Sequence, residues 1–192
     1  MKKIVVLEGS PRARGNTALV TDWVLEGLGR AFRPERVRVA GLDILPCREC
    51  GDCWKTKGAA GCRQPDDMPG LYDRVLDCDL LVVTSPVFCW GVSGQLKVAI
   101  DRLLALVFGE NLLKHKRLAL VLTGGGDEFD GADLVVHACR NLARFADLDY
   151  LGQLVVAPCP DRPRLGRDAR IREQARRFGR ELRAALGKKP QP

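Results

Sequence analysis

Four cysteines, Cys47, Cys50, Cys53 and Cys62, fall within 16 residues of this 192-residue chain. The run reads C-x2-C-x2-C-x8-C. Two short x2 steps bring three thiolates within reach of one small inorganic centre. That pattern suits an iron–sulfur cluster better than zinc, which more often takes separated CxxC pairs. Unligated thiols are the third reading. Cys78, Cys139 and Cys159 stand singly and are expected as small buried hydrophobes.

A second stretch offers different chemistry. Gly9-Ser10-Pro11-Arg12-Ala13-Arg14-Gly15-Asn16-Thr17 joins an apolar run, Ile4–Leu7, to a segment with helical spacing of apolar residues. A helix N-terminus with open N–H groups is an anion site. Ser10, Asn16 and Thr17 add neutral donors and Arg12 a charged one, and Asn16 or Thr17 is a candidate helix cap. The stretch matches neither Walker A nor G-x-G-x-x-G, so a mononucleotide phosphate fits better than a dinucleotide pyrophosphate. The plain alternative is an ordinary Gly/Pro turn.

The elements that must position these groups follow from the apolar pattern. Strands are expected at 4–7, 36–40, 79–84, 118–122 and 150–156. Helices are expected after the first loop, from Asp66 or Asp67 to Cys78, after Ser93, over 131–147 and over 167–186. Alternation of this kind implies a parallel sheet with helices on both faces. The leading candidate is a flavodoxin-like three-layer sandwich of strand order 2-1-3-4-5. The chain reads as one domain, 1–192, with a Cys-rich loop at 41–65.

In such a sheet, loops 9–17, 85–92 and 123–126 leave strands 1, 3 and 4 on one edge. Pro86, Phe88 and Trp90 offer a rigid apolar rim for a flat ring, with Gly91 allowing close approach. Thr123-Gly124-Gly125-Gly126 can bring bare peptide N–H groups against a ring edge. A flat ring with a single terminal phosphate describes FMN.

The net charge of +7 is local: residues 161–192 hold 11 of the 31 Lys+Arg and 4 of the 24 Asp+Glu. Ile171, Ala175, Phe178, Leu182 and Leu186 make that segment an amphipathic helix with an Arg-rich outer face. The expectation is a solvated face and no nucleic-acid binding. Lys2-Lys3 leads straight into a strand, there is no signal-peptide core, and no apolar stretch reaches the ~18–20 residues of a membrane span. A soluble, cytoplasmic protein is expected.

At this point the chain resembles the NADPH-dependent FMN reductase and iron–sulfur flavoprotein group of flavodoxin-like proteins. The resemblance rests on Gly9-Ser10-Pro11-Arg12 with Gly15-Asn16-Thr17, on Ser85-Pro86-Val87-Phe88 with Gly91, and on Ser93-Gly94-Gln95-Leu96-Lys97 with Asp101-Arg102. Pro46-Cys47, Cys50, Cys53, Cys62 and Asp66-Asp67-Met68 complete it. It implies FMN phosphate binding by Ser10, Arg12, Asn16 and Thr17. It implies ring contacts from Pro86, Val87, Phe88 and Gly91, and ring-edge contacts from Thr123, Gly124 and Gly125. It implies NAD(P)H as co-substrate, and a [4Fe–4S] cluster on Cys47, Cys50, Cys53 and Cys62, although the final spacer is longer than those relatives use. Cys89-Trp90 departs from the family pattern. A homodimer or homotetramer is the implied assembly.

Hydride transfer from a nicotinamide to a flavin needs no protein acid, base or nucleophile. None is evident here, and His115 and His137 read as surface or structural. Three functions follow: an FMN-dependent NAD(P)H oxidoreductase with a quinone, flavin or similar acceptor, an iron–sulfur flavoprotein relaying electrons from a ferredoxin-like donor, or a metal-binding module without flavin.

Overall fold

The computed structural model describes residues 2–29 and 31–188. Five strands, β1 (Ile4–Glu8), β2 (Glu35–Arg38), β3 (Leu80–Pro86), β4 (Arg117–Thr123) and β5 (Asp149–Val156), form one sheet. All pairings are parallel and the order is β2-β1-β3-β4-β5. This is the flavodoxin-like order expected from the sequence.

The continuous apolar runs have a direct cause: both faces of the central strands are covered. Ile4, Val6, Leu80, Val82, Ala119 and Val121 point to one face, under α1 (Asn16–Leu28) and α6 (Ala169–Leu186). Val5, Leu7, Leu81, Val83, Leu118 and Leu120 point to the other, under α2 (Met68–Asp77), α3 (Gly94–Leu103) and α4 (Asp133–Phe145). A short α5 (Arg162–Arg167) precedes α6.

The helices α1 and α6 pack backbone to backbone. A Cβ on Gly27 would lie 2.0 Å from the Arg176 carbonyl oxygen, and one on Gly179 would lie 2.0 Å from that of Val24. The apolar stripe Ile171, Ala175, Phe178, Leu182, Leu186 is buried as expected.

Several boundaries differ from the sequence reading. Strand 2 stops at Arg38, because Val39–Gly41 tightens into a 3-10 turn that buries Val39. The helix α4 starts at Asp133 rather than 131, after a wide turn over Glu128–Ala132. The last helix starts at Ala169 rather than 167, and the short α5 before it was not expected: Asp161 accepts from the Arg164 amide and Asp168 from the Ile171 amide, so each caps its own segment. Neither Asp66 nor Asp67 caps α2 in the usual manner. Asp66 Oδ1 accepts from the Met68 amide (3.0 Å), while Asp67 Oδ2 is spent on the Asp43 amide (2.8 Å).

Candidate functional site

The loop after β1 turns tightly under α3. Gly9 donates to the Thr84 carbonyl (2.8 Å), and a Cβ on it would lie 2.7 Å from Leu96 Cδ2. Only glycine fits there without moving α3. Ser10 Oγ accepts from the Arg12 amide (3.3 Å) and closes the turn. Gly15 stands at the N-cap of α1 with no side chain accepting from the helix. The first backbone bond closing α1 is from Leu19 to Gly15 (3.2 Å), and among the described residues no group accepts from the amides of Asn16, Thr17 and Ala18. An uncapped helix end of this kind is a cradle for a phosphate.

The expected cap from Asn16 or Thr17 is not made. Asn16 Nδ2 donates to the Pro160 carbonyl (2.8 Å) and to Cys159 Sγ (3.4 Å). Thr17 is buried, and its hydroxyl meets Thr123 Oγ1 at 2.7 Å. These two side chains are turned into the fold, and only their amides stay open at the helix end. Arg12 is exposed on the loop.

That same arrangement locks the loops together. Ser93 Oγ donates to the Gly9 carbonyl (2.5 Å) and accepts from the Leu96 amide (3.3 Å), so the cap of α3 also pins the first loop. Ser85 Oγ accepts from the Ser93 amide (3.0 Å). The Val87 amide donates to the Thr123 carbonyl (2.8 Å), joining the second loop to the third.

The second loop is a two-residue hairpin: Phe88 and Gly91 exchange backbone bonds, both 2.9 Å. Its central residues, Cys89 (φ +45°) and Trp90 (φ +59°), both occupy the left-handed region. Such a turn normally uses Asn and Gly, and each other residue there costs about 1–3 kcal/mol. The strain holds out an apolar lip, with Phe88 42% and Trp90 65% exposed. Gly131 (φ +102°) lies flat beneath it, where a Cβ would lie 2.7 Å from Trp90 Cα.

The third loop is narrower in its chemistry than expected. Gly124 spends its amide on the Val156 carbonyl (3.0 Å), so it cannot face a ring edge with a free N–H. Gly125 is exposed, with nothing near the position of a Cβ. Thr123 is buried against Thr17.

One wall of this site was not read from the sequence. The segment after β5 carries Cys159 and Pro160 onto Asn16, and Arg162 Nη1 donates to the Gly15 carbonyl (2.7 Å). Arg162 thus adds a second cation beside the phosphate cradle. Cys159 is half-buried and partnered, not the isolated core thiol expected. Burial raises its pKa, opposed by the Asn16 bond.

The four clustered cysteines line one cavity of about 240 Å³, together with Gln64, Arg102 and Phe108. Among the described residues no three Cys, His, Asp or Glu side chains converge tightly enough for a single metal ion. The four cysteines share the lining of one cavity without such convergence. They also sense one another: burial first, then the charges of Cys62, Cys47 and Cys50, raise the Cys53 pKa. Cys62 goes the other way. Burial opposes its ionisation, but the Gln64 backbone, the charge of Arg102 and the Arg102 and Tyr72 side chains hold its pKa below the ordinary thiol value.

The loop around the cavity is anchored by the protein itself. Asp66 Oδ2 accepts from the Leu45 amide (3.0 Å), Gln64 donates to the Pro46 carbonyl (3.1 Å), and Gly58 donates to Glu110 (2.8 Å). Trp54 packs on Phe108, ring centroids 5.4 Å apart. Leu42, Ile44 and Ala60 rest on the core, so the loop has more apolar anchors than its glycines suggest.

The family model for NADPH-dependent FMN reductase matches residues 2–158. The chain is 32% identical over 134 residues to an iron–sulfur flavoprotein of Archaeoglobus fulgidus, covering 70% of this chain and 67% of that one. It is 31% identical over 140 residues to the iron–sulfur flavoprotein of Methanosarcina thermophila, covering 72% and 71%. In fold it is similar to RosB, solved with a bound 8-demethyl-8-formylriboflavin-5'-phosphate, at a TM-score of 0.73 and 21% identity, over 100% of this chain and 82% of that one.

Proposed function

The chain belongs to the NADPH-dependent FMN reductase family of oxidoreductases, and from that premise we propose a specific working arrangement. FMN lies across the edge formed by loops 9–17, 85–92 and 123–126. NAD(P)H reduces it, and a quinone, a free flavin or a similar small molecule takes the reducing equivalents. The observation that carries this reading is the mutual locking of the three loops beside an uncapped α1. When bound, FMN supplies the hydride acceptor and the means to pass electrons on.

The chain's own groups then have positional roles. Ser10 shapes the turn, the amides of Asn16 and Thr17 face the phosphate, and Arg12 with Arg162 supplies positive charge. Pro86, Val87, Phe88 and Gly91 form the surface on which the ring lies. The Gly125 amide, with no partner among the described residues, is available to the ring edge, and Thr123 and Gly124 hold that loop in place. Assembly into a homodimer or homotetramer would cover the exposed Phe88 and Trp90. Purified protein loaded with FMN should oxidise NADPH in the presence of a quinone, followed by loss of nicotinamide absorbance. Protein that takes up no FMN would overturn the proposal.

A second reading is favoured by one observation: the four thiols share a single cavity. An iron–sulfur cluster held by Cys47, Cys50, Cys53 and Cys62 would make the protein a relay from a ferredoxin-like donor to FMN. Iron and sulfide assay after anaerobic reconstitution decides it. Fewer than about four irons per chain in flavin-loaded protein would leave the thiols bare and the protein a plain flavin reductase.

A further inference from the structure

Arg102 is the most deeply buried cation in the described part of the chain. Its side chain is 1% exposed, as is that of its partner Asp66. Nη1 donates to Asp66 Oδ2 (2.5 Å) and to the Leu45 carbonyl (2.6 Å), and Nη2 to Asp66 Oδ1 (3.2 Å). The third nitrogen is different. Arg102 Nε is buried and has no hydrogen-bond partner among the described residues. An orphaned charged donor is costly unless something accepts from it. Arg102 lines the cysteine cavity, against Cys62. Ordinary ion pairing with Asp66 explains the two terminal nitrogens and leaves Nε unexplained.

We propose that Arg102 is a positioning residue that sets the reduction potential of an iron–sulfur cluster in this cavity, through its buried charge and an Nε–H bond to sulfur. The inference rests on the second reading above. Uptake of one electron adds one negative charge inside the cavity, and no bond is made or broken. A fixed cation and an N–H···S bond stabilise the more negative state, so they raise the potential. Asp66 tempers the effect by neutralising part of the charge.

Two substitutions break the same ion pair with opposite electrostatic consequences. Arg102→Gln removes the cation and leaves the carboxylate. Asp66→Asn removes the carboxylate and leaves the cation with its Nε–H. Each reconstituted protein is titrated with dithionite through mediators, and the potential is read from the cluster's EPR signal. Iron per chain and thermal unfolding are measured alongside. The expected result is a shift to more negative potential in Arg102→Gln and to more positive potential in Asp66→Asn. Shifts of the same sign in both, or none in the loaded fraction of either, would reduce Arg102 to a tether for the loop and overturn the inference. Arg102→Lys, which retains a cation able to pair with Asp66 but lacks Nε, should lie between wild type and Arg102→Gln. Wild-type protein that binds no iron overturns the cluster reading itself, and the inference with it. Iron-loaded wild type with unmoved potentials overturns the inference alone.

Discussion

At the scale of single residues, chemistry is assigned by what each side chain has left to give. Asn16 and Thr17 were legible as polar groups in a phosphate loop, yet their side chains are spent on Pro160, Cys159 and Thr123. No local pattern announces such long-range partners, and Arg162 escaped the sequence reading for the same reason. Arg12 keeps its guanidinium outside the loop, so Arg12→Ala should weaken FMN binding about tenfold to a hundredfold, the loss of one charge-assisted bond. Fluorescence titration of FMN measures it, and unchanged affinity would move the phosphate elsewhere. The thiols divide in the same fashion. Burial pushes Cys139 up to about 11, and burial, countered by Lys116, does the same for Cys78. At pH 8 only roughly one in a thousand of either is ionised, and neither is accessible. Iodoacetamide at that pH should label exposed Cys47, Cys50 and Cys89 while leaving Cys78 and Cys139 unmodified, as peptide mass mapping would reveal. Equal labelling of all five would mean that the core opens readily.

At the scale of elements, strand identity and order were readable because the central strands are apolar on both faces, and few other structures require that. Ends were not readable. The alternation of 36–40 continues past Arg38, but Val39 is drawn into the core by a 3-10 turn. Gly27 and Gly179 carry the opposite lesson: inside helices they look like weak points, and they are where α1 and α6 touch. Gly179→Ala gains up to about 1 kcal/mol of helix propensity. It also forces a methyl to within 2.0 Å of a backbone carbonyl, which no rotamer change relieves. Overpacking of this kind costs about 1–3 kcal/mol, so net destabilisation is expected. Urea unfolding gives the sign directly, and a more stable variant would show that the two helices separate without penalty.

At the scale of the whole molecule, the surplus of positive charge sits in residues 161–192, much of it on α6, and is partly matched by Arg176–Glu26 and Arg180–Glu173 pairs. No helix among the described residues is long and apolar enough to cross a membrane. Weak retention on a DNA column, lost at physiological salt, is the expected behaviour. Tight binding with a steep salt dependence would demand a nucleic-acid role for this segment. The three loops converge because the sheet's order brings the ends of β1, β3 and β4 to one edge, which strand order alone made foreseeable. The cysteine cavity was foreseeable only as a list of donors. Its buried cation comes from α3, far from the cysteines in sequence. That helix has a further consequence. Ser93 at its start pins the loops after β1 and β3, and Arg102 near its end lines the thiol cavity. Nine residues of helix span about 14 Å. The distance from the first loop to the thiol cavity is thus set by the length of one helix, a rod whose two ends cannot approach each other.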